Sequence, residues 1–179
     1  VQEGKVLNRI IRCTPSGFEL EADPRHAEMI VEALGLGGAK GVNTPGEASK
    51  KHEEEEDSVE LAADRATLYR SVAARANYLA QDRPDLTFAA KEVCRSMAKP
   101  TEGAWKALKR LGRYLLNVPR RVLRYGWQGR ESVVTGYTDS DWAGCNRTGK
   151  STSGGCIMLG GHYLRGWSRT QQMVTTSSA

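Results

Sequence analysis

Two carboxylates spaced two residues apart, Asp139 and Asp141, stand in the segment Gly136-Tyr137-Thr138-Asp139-Ser140-Asp141-Trp142-Ala143-Gly144. The alternation of Val133, Thr135 and Tyr137 before them predicts a strand, and side chains two apart on a strand point to one face. A hard cation such as Mg²⁺ is held by one or two carboxylates together with phosphate oxygens and water. Two-metal cleavage of a phosphodiester needs several carboxylates converging from different elements. Beyond Glu131 the only side-chain carboxylates are Asp139 and Asp141, and one strand end cannot assemble such a site alone. On spacing alone, a polar strand end turning into solvent explains the pair better.

A second constellation is cationic. Lys106, Lys109, Arg110 and Arg113 fall within a quarter to a third of the circumference of a predicted helix over 101–116, given about 100° per residue. Arg120 and Arg121 follow just beyond it. Such a stripe can track a phosphate backbone, fixing register without reading sequence, and it can equally be a solvated helix face. Trp105 and Trp167 could stack bases, but their place on apolar faces favours core packing. The four cysteines form no C-x-x-C pair, which argues against zinc and for reduced thiols in an intracellular protein. His26, His52 and His162 lie in separate segments without a ligand-spaced partner, and His162 is expected to be simply exposed.

The elements that must position these groups follow from periodicity. Val6-Leu7, Ile10-Ile11 and Phe18–Glu21, around the turn Pro15-Ser16-Gly17, predict strand, turn and strand. Asp23-Pro24 then opens a helix carrying Ala27, Ile30, Val31 and Leu34. Gly37 to Glu60 lacks apolar periodicity, and Glu53-Glu54-Glu55-Glu56-Asp57 marks a solvated acidic linker. Three helices follow: one with Leu68, Val72, Ala76 and Leu79; one with Leu86, Ala90, Val93 and Met97; one capped by Thr101 with Trp105, Leu108, Leu111, Leu115 and Leu116 inward. After Pro119 the period becomes two, predicting an antiparallel meander that includes a hairpin on Gly160-Gly161. The chain of 179 residues, 39% hydrophobic and 26% charged with net charge +5, has the composition of a globular protein and favours an anionic partner. No run approaches the roughly 18–20 apolar residues that span a bilayer, so no membrane partner is expected. Val1-Gln2-Glu3-Gly4-Lys5 has no signal-peptide core, and both ends are expected to be cuts within a longer protein.

Four ordered blocks carry a resemblance. Tyr137-Thr138-Asp139-Ser140-Asp141-Trp142-Ala143-Gly144, Ser151-Thr152-Ser153-Gly154-Gly155, Trp167-Ser168-Arg169-Thr170-Gln171-Gln172 and Thr176-Ser177-Ser178-Ala179 resemble the start of the RNase H domain of copia-type retrotransposons. Upstream, Leu68–Val72, Tyr78-Leu79-Ala80, Arg83–Ala89 and Ala104–Leu115 are similar to the region joining polymerase to RNase H in those elements. Residues 17–46, with Asp23-Pro24-Arg25-His26 and Asn43-Thr44-Pro45, resemble the end of the polymerase thumb.

The resemblance implies an α/β protein of four segments: the end of a thumb over 1–46, an acidic linker over 47–60, a helical connection over 61–118, and the antiparallel opening strands of a truncated RNase H-like fold over 119–179. It implies a parent Pol polyprotein that makes DNA from RNA and hydrolyses RNA in RNA–DNA hybrids, using Mg²⁺ or Mn²⁺. Asp139 matches the family's first metal-binding carboxylate, while Asp141 stands where other RNase H enzymes carry a small polar residue and ranks below it as a ligand. The family's next catalytic Glu follows the Ser-Ser-Ala segment, and its later Asp ligands and the polymerase aspartates are also outside these 179 residues. The chain itself is therefore expected to be inactive and to hold no metal tightly. Its expected partners are RNA–DNA hybrid or other nucleic acid and the remainder of the polyprotein, in the cytoplasm or nucleus. The rival expectation is a non-catalytic nucleic-acid-binding relic or a domesticated transposon piece.

Overall fold

The computed structural model describes residues 2–47, 59–131, 133–145 and 148–174. The acidic run 53–57, His52 and the block Thr176-Ser177-Ser178-Ala179 lie outside the described residues. The protein is α/β with antiparallel sheets, and it divides into two compact units, Val1–Leu20 with Val122–Ala179 and Glu21–Arg121.

The first unit holds two sheets. In one, β1 (Gln2–Val6), β2 (Arg9–Thr14), β3 (Gly17–Glu21) and β4 (Val122–Gly126) lie side by side in that order. Where the sequence suggested one strand through Val6–Ile11, a two-residue turn at Leu7-Asn8 splits it. Both residues have left-handed φ, 50° and 65°, as a type I′ hairpin requires. With no glycine in the pair, the usual sequence signal for that turn is missing. A second difference is β4, expected in the C-terminal meander but found beside β3. Gly17, at φ +140°, lets the backbone of Tyr125 approach so closely that a Cβ would collide with the Tyr125 carbonyl. Trp127 fixes the same edge, donating from its backbone N–H to Ser16 O (3.0 Å) and from its indole to Pro15 O (2.9 Å). Its ring meets Phe18 edge-on at 5.4 Å.

The other sheet is the meander β5 (Val134–Ser140), β6 (Thr152–Leu159) and β7 (His162–Thr170), antiparallel throughout. Its β6–β7 hairpin turns on Gly160-Gly161, with Gly160 at φ +55°. His162 is half-buried rather than simply exposed: its ring is paired with Gly126 O at 2.8 Å and with Gln128 at 3.1 Å.

The second unit is helical: α1 (Arg25–Ala33), α2 (Ala63–Leu79), a 3₁₀ turn (Pro84–Leu86), α3 (Thr87–Arg95) and α4 (Glu102–Asn117). Their inward faces form one core, including Ile30, Leu34, Leu36, Tyr69, Val72, Leu79, Leu86, Val93, Leu108, Leu111 and Leu115. On α2 the buried stripe is Ala66, Tyr69, Val72, Ala73, Ala76 and Leu79. Leu68, expected inward, is instead 37% exposed, because the small alanines set the contact face and turn it outward. Thr101 caps α4 as its sequence predicts, its hydroxyl accepting from the Ala104 N–H at 3.2 Å. Gly112 lies directly under Leu34 and Leu36, whose methyls a Cβ would overlap.

Candidate functional site

Strand β5 carries Asp139 to the end of its sheet. Asp139 lies opposite Gly154 on β6, which lies opposite Ser168 on β7. Directly opposed residues share a face, so the exposed Asp139 carboxylate stands beside a glycine rather than a bulky neighbour. Thr138, Asp139, Ser140, Ser153, Gly154 and Trp167 line an open concavity of ≈ 610 Å³ at this sheet end. Trp167 lies across Gly155, where a Cβ would strike its ring. The indole is therefore packed half-buried on the face of the sheet opposite to Asp139 and Gly154, and the Trp167 carbonyl is the group that comes nearest to Gly154.

Asp141 behaves differently. Its backbone N–H donates to Thr152 O at 3.1 Å, continuing the ladder one step. The return bond, from the Thr152 N–H, goes to the Asp141 side chain Oδ1 at 2.5 Å. Next, the Ala143 N–H donates to the hydroxyl of Ser151 at 3.1 Å, and Ser151 is only 1% exposed. Gln171 closes the group from just past β7, its N–H on Ser151 O (2.8 Å) and its Nε2 on Ser153 Oγ (2.9 Å). Three sequence blocks that stand apart in the chain thus meet at one sheet end.

As hard oxygen donors, Asp139 and the hydroxyls beside it suit Mg²⁺ in kind. In number they fall short: among the described residues no group of three or more His, Cys, Asp or Glu is placed to hold a metal ion. All four cysteines are free thiols, and burial raises the pKa of the Cys94 thiol.

The cationic residues lie on or just after α4, each with its own neighbour. Arg110 pairs with Glu47 (2.9 Å) and donates to Thr44 Oγ1 (2.8 Å). Arg113 donates to Lys40 O at 2.7 Å. Lys109 lies 5.8 Å from the centre of the Trp105 ring, which packs inward at 8% exposure, as its place on the apolar face predicts. Lys106 is exposed. Arg120 forks onto the buried carboxylate of Glu21, and Arg121 stands 3.9 Å from Asp85. The stripe is therefore partly occupied by the fold itself.

A polar hub lies within the Arg83–Ala89 block, to which the sequence alone assigns no role. Arg83 is buried, gripping Asp85 with two nitrogens (3.0 and 2.8 Å) and donating to Val118 O and Pro119 O just past α4. The Tyr114 hydroxyl donates to the same Asp85 carboxylate at 2.7 Å. Burial pushes the Asp85 pKa up, but the hydrogen bonds from Arg83 and Tyr114 outweigh it and hold the carboxyl below its ordinary value. The available signal was an Arg and an Asp flanking a proline just ahead of Leu86. His26, read as having no ligand-spaced partner, stands 3.9 Å from Asp23. Its ring is also 3.2 Å from Arg75.

Comparison with known proteins decides the kinship. Over 175 residues, 94% of this chain, it is 30% identical to an uncharacterized mitochondrial protein, AtMg00810, of Arabidopsis thaliana, and the match covers 68% of that protein. It is 37% identical over 112 residues to the retrovirus-related Pol polyprotein from transposon RE2 of the same plant, and 28% identical over 158 residues to that from transposon TNT 1-94 of Nicotiana tabacum. The chain belongs to the copia-type retrotransposon Pol family. The matches cover 63% and 86% of this copia-type chain but only 8% and 12% of the two polyproteins. It corresponds to a piece of a Pol polyprotein, whose remainder is its context in those relatives. No protein-family model and no solved structure matches it. Among the described residues, no helix is long and apolar enough to cross a membrane.

Proposed function

We propose that this Pol piece joins the reverse transcriptase to its RNase H: thumb end over 1–46, acidic linker over 47–60, helical connection over 61–118, and the opening strands of an RNase H-like domain over 119–179. The observation that carries the reading is Asp139, exposed at the end of the first strand of an antiparallel β5–β6–β7 meander in a chain with Pol relatives. In the parent, Asp139 would be one ligand of a Mg²⁺ or Mn²⁺ centre completed by carboxylates from other elements, and such a centre would supply water activation and stabilisation of the leaving oxygen for RNA hydrolysis in a hybrid. Lys106, Lys109, Arg110 and Arg113, with Arg120 and Arg121, give this piece affinity for phosphate backbones. Hybrid is preferred through its shape and 2′-hydroxyls. With one candidate catalytic carboxylate, the piece binds nucleic acid without cutting it, in the cytoplasm or nucleus.

One observation favours a second reading. The mitochondrial relative is short enough for the match to span 68% of it, which suits a non-catalytic relic or domesticated piece standing by itself. Fluorescence anisotropy of a labelled RNA–DNA hybrid, with DNA duplex and single strand as competitors, tests the binding shared by both readings. Hybrid bound best, with affinity falling steeply as salt rises, is the expected result. No binding at low salt would refute it.

A further inference from the structure

Asp139 and Asp141 are two residues apart, and on a continuing strand they would present two carboxylates to the same side. The structure separates them by chemistry. In an antiparallel ladder, a hydrogen-bonded pair exchanges two backbone bonds. At Asp141 and Thr152 only one of these is backbone to backbone, Asp141 N–H to Thr152 O. The other acceptor is the Asp141 side chain, standing where the main-chain carbonyl would be. That substitution frees the main chain to leave the sheet, as short Asp side chains do when they mimic a backbone turn. The chain then passes through Ala143 at φ +50°, a left-handed conformation unfavourable to alanine. The buried Ser151 hydroxyl holds that residue through the Ala143 N–H. Gly144 completes the turn, because a Cβ there would run into the Asp141 carboxylate.

From this geometry we propose that Asp141 is a positioning residue and not a metal ligand: together with Ser151 it locks the 141–144 turn and so fixes the strand end that carries Asp139. The proposal rests on the reading of Asp139 as a metal-binding carboxylate. It explains Asp-x-Asp without a second ligand, and it assigns work to Ser151, whose side chain faces the turn instead of solvent.

The test compares Asp141→Asn, Asp141→Ala, Ser151→Ala and Asp139→Asn in the whole chain, by NMR. Amide exchange at Thr152 reports the lock, and line broadening by Mn²⁺ reports the metal. Asn keeps the Oδ1 acceptor, so Asp141→Asn should retain Thr152 protection and broadening centred on Asp139. Asp141→Ala should speed Thr152 exchange about tenfold or more, the loss of one charge-assisted bond. Ser151→Ala should do the same for the Ala143 amide. Asp139→Asn should abolish broadening and leave Thr152 protected. Broadening lost in Asp141→Asn while Thr152 stays protected would make Asp141 a ligand and overturn the proposal. Unchanged Thr152 exchange in Asp141→Ala would overturn it as well. Absence of Mn²⁺ broadening in the unsubstituted chain would instead refute the metal reading of Asp139, with Thr152 exchange still deciding the lock.

Discussion

Replacing Arg83 by alanine should be the most damaging single change in the helical unit. Arg83 is 1% exposed and makes hydrogen bonds to both oxygens of Asp85 and to the carbonyls of Val118 and Pro119. Alanine leaves the half-buried Asp85 carboxylate with only the exposed Arg121 at 3.9 Å and the Tyr114 hydroxyl, and strips two carbonyls beyond the end of α4 of their Arg83 donor. Removing one partner of a buried pair costs about 3–5 kcal/mol, against a total stability of about 5–15 kcal/mol for a domain. In a unit of this size that corresponds to a fall in Tm on the order of 15–25 °C, followed by helical circular dichroism. The pH dependence carries a second signature. Asp85 has a depressed folded pKa, so its contribution is present above the unfolded value of about 3.9 and is lost as pH falls through the lower folded value. The stability gap between the native chain and Arg83→Ala should therefore narrow below about pH 4. A loss at neutral pH under about 1 kcal/mol, within the range of exposed pairs, would refute the account of Arg83 as the tie between the 3₁₀ turn and α4.

Thr101→Ala removes the α4 cap and should lower stability by about 1 kcal/mol in urea melts, with Thr101→Ser restoring most of it. Gly112→Ala gains helix propensity but drives a methyl into those of Leu34 and Leu36, and overpacking of about 1–3 kcal/mol should make the net change destabilising by thermal melt. Replacing Lys106 and Lys109 together by alanine should weaken hybrid binding for all sequences alike. The log–log salt slope should shrink by about 0.9 for each phosphate that these lysines no longer neutralise, read by anisotropy.

The helical unit was the most legible part of the sequence. Thr101, the Trp105 to Leu115 stripe and the break at Pro119 each rest on local rules that tertiary structure did not override. Leu68 is large and apolar yet turned outward, because α2 packs through its alanines. Strand β4 misled because its partner is more than a hundred residues away in sequence, and only Gly17 hints at the close approach. At the candidate site, residue types pointed to Asp139 and Asp141 alike; the different surroundings of the two carboxylates depend on a turn held by Ser151 and Thr152, which no spacing rule reveals. The Arg83 hub was invisible for a related reason, since its acceptors Val118 and Pro119 are backbone atoms.

The most direct test of the central claim is release of labelled RNA from an RNA–DNA hybrid in Mg²⁺ or Mn²⁺, by this chain and by its Asp139→Asn variant. No cleavage by either, with salt-sensitive hybrid binding retained, is the predicted result for a Pol piece holding one ligand of a larger site. Cleavage that disappears with Asp139→Asn would contradict the account, showing that a working site is completed within these residues or by a second copy of the chain.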